Sequence, residues 1–291
     1  MTDILTDLDE LAAARTPWVS GDAPGGFWGR FLTAPRWVAG LAGIVVIFIL
    51  WTLASAAGRF GDAVPAPWSV IAALGSELTQ SIYWQAIGHT CLEALEGYLI
   101  GNLLALVLAF LILVAPWFES TSTQLAVVTA CIPMTAVGPI VALLSPSGGR
   151  VTSVFLAAMS VVFTTVIGTQ VGLKTATQQQ LDVVRAAGGG RFMQLRKVRL
   201  VAAVPAILAA LKLAAPAAFL GAVLGEYFLI GANSGLGLML LALQAASNPV
   251  KLWAIALLSA LIAGVVYALI GQSERLVAPL VTGTAPRGRT R

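Results

Sequence analysis

The sequence predicts an all-α, polytopic membrane protein with about six transmembrane helices, and three observations carry that prediction. Hydrophobic residues make up 58% of the 291 and charged residues only 10%, with a mean hydropathy of +0.89. That composition excludes an ordinary soluble globule. The apolar residues gather into six runs, each near the roughly 20 residues an α-helix needs to cross about 30 Å of hydrocarbon. Lysine and arginine are also shared unequally between alternate connections, as insertion into a membrane requires.

In chain order the expected spans are 37–57, 97–115, 124–144, 151–172, 203–230 and 252–272. The leader, 1–36, opens with "ILTDLDELAAA", in which Leu5, Leu8 and Leu11 share one helical face. A turn-rich linker, "SGDAPGG", follows, and "FWGRFLTAPRW" has the aromatic and basic residues of a membrane interface. The first run is too long for a signal-peptide core and too far from the start, so it is expected to persist as a helix. Before the second span, "VPAPWSVIAAL" predicts an extended connection and then a helix. Between the fifth and sixth spans, "GANSGLGLMLLALQAASNP" predicts a loop and a re-entrant or interfacial helix. The domains expected are thus the leader 1–36, a membrane domain 37–275 with a loop at about 174–202, and a tail 276–291.

With both termini in the cytoplasm, the inner connections and tails hold Arg15, Arg30, Arg36, Lys174, Arg185, Arg191, Arg196, Lys197, Arg199, Lys212, Arg275, Arg287, Arg289 and Arg291, against Arg59, Arg150 and Lys251 outside. The net charge of +4 reflects this sorting and an attraction to anionic lipid heads, and it gives no reason to expect nucleic-acid binding. Cys91 and Cys131 have no metal-ligand spacing and read as unpaired packing residues, and no metal site is expected.

Glu226 is an ionisable group in a long apolar run, which is costly and needs a cavity or partner. It either lines a pathway or locks the segment "GANSGLG" by hydrogen bonds. Pro133, Gly138 and Pro139 interrupt the third run and free backbone carbonyls that must face protein or water. Met134, Thr135 and Ala136 therefore either line a cavity or sit at a packing kink. Glu93 and Glu96 are neighbours on one helical face. With His89 the only histidine and no nucleophile or metal constellation nearby, a solvated helix entrance or a partner contact is expected of them rather than acid/base chemistry, and no catalytic residue is assigned.

The largest inner loop, "DVVRAAGGGRFMQLRKVRLVAAVP", carries five basic residues and three consecutive glycines. Leu181, Val184 and Ala187 share one helical side, Gly188, Gly189 and Gly190 end that helix, and a second begins near Arg191 with Phe192, Leu195 and Val198 on one side. This is a helix, turn, helix surface offered to the cytosol. It resembles the docking loop of permease subunits of type I ATP-binding-cassette importers, in the group that includes nitrate, sulfonate and taurine permeases. That loop reads Glu-Ala-Ala, three residues, Gly, nine residues, an aliphatic, one residue, Leu-Pro. Here Asp182, Val183 and Val184 stand at the triplet, Arg185, Ala186 and Ala187 follow, Gly188 is the glycine, and Val198 and Leu200 are the aliphatics. Val201 replaces the first proline and Pro205 matches a second. "PAPWSVIAAL", "CIPMTAVGPIVALL" and "GEYFLIGANSGLGLML" extend the likeness over about residues 64–275.

The resemblance implies a permease fold with a cytoplasmic coupling helix between helices 4 and 5. It implies a small polar cargo, a nitrate-, sulfonate- or taurine-like anion or a cofactor precursor, delivered by an extracytoplasmic binding protein. The implied partners are two ATPase subunits, a second permease, identical or related, and membrane lipids. ATP and its magnesium would belong to the ATPase, since this chain has no P-loop ending in Gly-Lys-Ser or Gly-Lys-Thr, and no cofactor is expected in the chain itself. The rival readings are an ion-coupled secondary transporter, which would often show repeated halves, and a channel subunit. Neither explains the basic loop.

Overall fold

The structure is a computed structural model, describing residues 36–59, 61–114, 124, 127–128, 131–145, 150–228 and 234–282. The expectations for most of the leader and for the tail beyond 282 lie outside these residues. The chain divides into two compact units, residues 1–67 and 68–291.

In the first unit, α1 (Arg36–Ala56) is an apolar helix, followed by a single 3-10 turn (Gly61–Ala63). The Trp51 indole N–H donates to the Pro65 carbonyl at 3.0 Å, tying the extended connection back to α1. α2 (Pro67–Glu77) begins at the last residue of this unit and otherwise belongs to the second; it starts on proline, which suits a first helical position because that N–H has no intrahelical partner.

The second unit is built on α3 (Ser81–Val114), α4 (Met134–Leu144), α5 (Arg150–Leu173), α6 (Gln178–Ala186), α7 (Arg191–Gln194), α8 (Leu200–Tyr227), α9 (Leu236–Ala245) and α10 (Pro249–Thr282). A π-helical turn, Leu195–Arg199, joins α7 to α8. Among the described residues, four helical stretches are long and apolar enough to cross a membrane: Ser81–Ile112, Arg150–Leu173, Arg191–Tyr227 and Pro249–Glu274. Gly40–Ala56, Met134–Leu144 and Leu236–Ala245 are shorter apolar helices. The expected second span is thus the later part of one 34-residue helix, and the sixth continues past its expected end to Thr282, because scattered polar residues change a helix's face without ending it.

α5 and α8 form the centre and pack nearly backbone to backbone. A Cβ on Gly172 of α5 would come within 3.0 Å of the Ala203 carbonyl, and one on Gly221 of α8 within 2.8 Å of the Leu156 carbonyl. Lipid tails are as apolar as leucine, so helices in a bilayer associate through such close contact rather than by hiding greasy surface. Two polar ties fix α3 against this pair. The Thr165 hydroxyl donates to Asn102 Oδ1 at 2.5 Å, and the Tyr98 hydroxyl donates to the Leu211 carbonyl at 3.2 Å. The buried cluster around Phe219, Ala157, Val161, Leu236 and Ile255 closes the interior.

Candidate functional site

At one end of the bundle, residues 174–199 form the predicted helix, turn, helix. Thr177 starts α6 with a capping box, its side chain accepting from the Gln180 N–H while Gln180 Oε1 accepts from the Thr177 N–H at 3.0 Å. The other end of α6 is a Schellman turn. The Gly189 N–H donates to the Val184 carbonyl at 2.8 Å and the Gly188 N–H to the Arg185 carbonyl at 2.9 Å. Gly188 has φ +77°, a left-handed conformation in which any side chain is strained. Gly189 is required for space, since a Cβ there would lie 2.8 Å from the Val184 carbonyl oxygen, while Gly190 has nothing within 4 Å. The triplet Gly-Gly-Gly therefore contains one conformational glycine, one steric glycine and one that neither constraint requires.

The side chains divide as the periodicity predicts at α6, with Leu181 buried and Val184 half-buried, although Ala187 is exposed. Asp182 and Arg185 pair on the exposed face at 3.2 Å. Val183 is 70% exposed and Phe192 71%, so an apolar face remains uncovered across the turn. Ala186 and Arg191 are exposed as well. α7 begins at Arg191 as expected, but the π-helical turn that follows has no signal in the hydrophobic pattern. It makes Arg191–Tyr227 one continuous helical stretch, so the exposed turn and the membrane helix are mechanically joined.

At the opposite end of α8, Glu226 is 1% exposed and holds the start of α9. Its Oε2 accepts from the Gly237 N–H at 2.7 Å and its Oε1 from the Thr90 hydroxyl at 2.6 Å. Thr90 in turn accepts from the Leu236 N–H at 3.0 Å. Gly235, the cap residue of α9, has no side chain to satisfy these amides, so a glutamate on one helix and a threonine on another supply the cap. The carboxylate also meets the positive end of the α9 dipole. The glycines permit this approach: a Cβ at Gly235 would lie 2.7 Å from the carboxylate oxygens, and one at Gly237 2.8 Å from Glu226 Cβ. Of the segment "GANSGLG", only residues 234–237 are described, and there Glu226 takes the Gly237 N–H directly and the Leu236 N–H through Thr90. Thr90 carries no sequence signal for its part, although His89, Glu93 and Glu96 mark the same helix.

Of the two settings predicted for Glu93, the solvated helix entrance does not hold. The residue is buried rather than solvated, and it lies beside Ser153 and Glu226, because the helix holding it packs against α5 and α8 along that face. Glu96, one turn away, is at the surface paired with Arg150. In α4 the break falls at Pro133, which precedes the helix, while Pro139 lies inside it. Met134 is half-buried and its sulfur accepts from the Ser160 hydroxyl at 3.5 Å. Thr135 and Ala136 are exposed. Gly138 is buried against the Phe228 ring. The structure does not bring Met134 and Thr135 into hydrogen-bonding contact with Glu226. Cys91 and Cys131 are free thiols.

Beside this clamp an ion pair between the half-exposed Lys251 and the buried Glu77 fixes the start of α10 to α2. Lys251 Nζ lies 2.7 Å from Glu77 Oε1, and Asn248 Oδ1 caps α10 by accepting from the Lys251 N–H at 3.2 Å. Burial pushes the Glu77 carboxyl up, but the Lys251 ammonium and the hydrogen bonds of Tyr83 and Gln80 outweigh it and hold the group below its ordinary value.

Fold and site together define a multi-pass helical membrane protein with an exposed, rigid helix pair rooted in a membrane helix. Residues 101–281 match the family described as binding-protein-dependent transport system inner membrane component, and the chain belongs to that family. It is 27% identical over 197 residues to a Haemophilus influenzae protein described as an ABC transporter permease, covering 67% of this chain and 78% of that one. It is 25% identical to a riboflavin transport system permease protein of Chloroflexus aurantiacus (80% and 87% covered) and 26% identical to a Bacillus subtilis permease named for aliphatic sulfonates transport (75% and 78% covered). A solved amino acid ABC transporter structure with histidines shares the fold at a TM-score of 0.57 and 15% identity, over 69% of this chain and 97% of that one.

Proposed function

We propose that this chain is the transmembrane permease subunit of an ATP-driven importer, and that Asp182 to Arg191 couple it to an ATPase. The observation that carries this reading is the uncovered apolar face, Val183 and Phe192, on a turn locked at both ends and continuous with a membrane-spanning helix. An ATPase dimer that closes on ATP moves whatever is docked on it. A capped helix transmits that displacement where a loose loop would absorb it, so the spans alternate between two openings. Two ATPase subunits bind ATP and magnesium and perform the hydrolysis. A second permease, identical or related, completes the cavity, and an extracytoplasmic binding protein delivers the cargo.

Both termini lie in the cytoplasm, which places α6 on the cytoplasmic side and the Glu226 clamp on the outer one. Met134 and Thr135, just after the break at Pro133, flank the pathway, and Glu226 orders its outer end by holding α9. The cargo is a small polar solute, a nitrate-, sulfonate- or taurine-like anion or a cofactor precursor. This is supported by relatives named for riboflavin, aliphatic sulfonates and formylaminopyrimidine transport.

The test is co-purification from a membrane expressing the chain with the ATPase encoded beside it. Val183→Asp with Phe192→Asp should abolish ATPase recovery while membrane insertion persists. Retention of the ATPase by that variant would remove the docking role, and solute uptake driven by an ion gradient without ATP would replace the importer with a secondary transporter.

A further inference from the structure

A cavity of about 380 Å³ opens between α3, α5 and α8, toward the end of the bundle that carries α6. Its lining is apolar, with Val107, Phe110, Leu111 and Ile207 among its walls, except for Thr169. Thr169 is 4% exposed, and its hydroxyl has no hydrogen-bond partner among the described residues. A buried hydroxyl facing an apolar cavity is costly unless an occupant bonds it. Val107, Phe110 and Leu111 are themselves exposed, so the cavity opens sideways, where a spanning helix meets lipid.

Two cations adjoin its lining in sequence. Lys174 directly follows the lining residue Leu173, and Arg199 directly precedes the lining residue Leu200. The two chain segments are held together there, since the Thr175 hydroxyl reaches the Ala202 carbonyl at 3.1 Å. Among the described residues no carboxylate pairs with Arg199. Thr169 stands five residues before Lys174, about 7.5 Å along the helix, which is the order of the depth difference between the ester carbonyl and the phosphate of a glycerophospholipid.

We propose that this groove binds one anionic phospholipid of the adjacent leaflet, its acyl chain against Val107, Phe110 and Ile207, an ester carbonyl accepting from the Thr169 hydroxyl, and its phosphate between Lys174 and Arg199. Apolar lining, hydroxyl depth and charge then match a single ligand. The lipid would bridge the three helices beside the π-helical turn. This inference rests on the membrane fold and not on the identity of the cargo or the ATPase.

The probe is a vesicle containing equal phosphatidylglycerol and phosphatidylcholine, into which the purified chain is reconstituted, re-extracted, and analysed for retained lipid by native mass spectrometry. The wild type should retain phosphatidylglycerol in preference. Lys174→Gln and Arg199→Gln should each lower that preference roughly fivefold, the attraction of one basic side chain for an anionic surface, without lowering phosphatidylcholine. Thr169→Val should lower retention of both lipids, and Leu106→Trp, which fills the groove, should abolish it. Unchanged retention in Leu106→Trp overturns the site, because the lipid would then be held by surface charge alone. Efficient cross-linking of Leu111→Cys chains to one another, with no retained lipid, also overturns it, because a second copy would be the occupant.

Discussion

Replacing Thr90 by valine keeps the side chain's shape and removes only its hydroxyl, so it isolates the clamp between α3, α8 and α9. Besides a contact to the Ala86 carbonyl of its own helix at 3.0 Å, the hydroxyl makes two buried contacts between helices, donating to Glu226 at 2.6 Å and accepting from the Leu236 N–H at 3.0 Å. A buried backbone N–H left without a partner costs about 1–3 kcal/mol, and a bond to a charged group is worth about 1.5–3 kcal/mol. The two share one network and are not additive, so the expected loss is about 3–4 kcal/mol in the local opening of α9, on the order of a few hundredfold. Hydrogen exchange of the Leu236 and Gly237 amides reads this directly, since they donate to Thr90 and Glu226. Thr90→Ser should retain protection. Wild-type protection of these two amides in Thr90→Val, with the remaining helices unchanged, would refute the reasoning.

The two helix-ending turns give opposite outcomes from opposite substitutions. Gly188→Ala should weaken the α6 turn by about 1 kcal/mol, because alanine is strained in the left-handed region, whereas Gly190→Ala should be neutral; amide exchange across residues 178–190 compares them. Ser247, at φ +51°, closes α9 with the same bonding, the Asn248 N–H reaching the Leu243 carbonyl at 3.0 Å, so Ser247→Gly should stabilise that turn by up to about 1 kcal/mol. The Glu77 and Lys251 pair sets an acid limit. The folded carboxyl lies below its unfolded value, so its stabilisation is complete above the unfolded carboxylate range and is lost as pH falls through the folded value. Lys251→Met should raise the pH of the acid unfolding midpoint, measured by circular dichroism in detergent, and an unchanged midpoint would show that the pair contributes nothing.

Composition and run length alone determined that the chain is helical and crosses a membrane, since no other backbone arrangement satisfies its amides in hydrocarbon except a closed barrel. The turn at Gly188 was equally legible, because only glycine sits at ease in the conformation that closes α6, and a left-handed residue after an amphipathic segment has a local signature. Glu226 was visible as an anomaly, a charge in an apolar run whose cost demanded a partner. What it partners was not visible, because Thr90 stands 136 residues away and its hydroxyl resembles any other in a spanning helix. The same holds for Glu93, for which the sequence allows a solvated helix entrance or a partner contact and which the packing of α3 on α5 and α8 buries. It holds too for the unpaired hydroxyl of Thr169, whose burial arises only where three helices meet. Periodicity records which face of a helix is apolar; tertiary structure alone decides which helix that face meets, and so which polar groups lose water and must find one another.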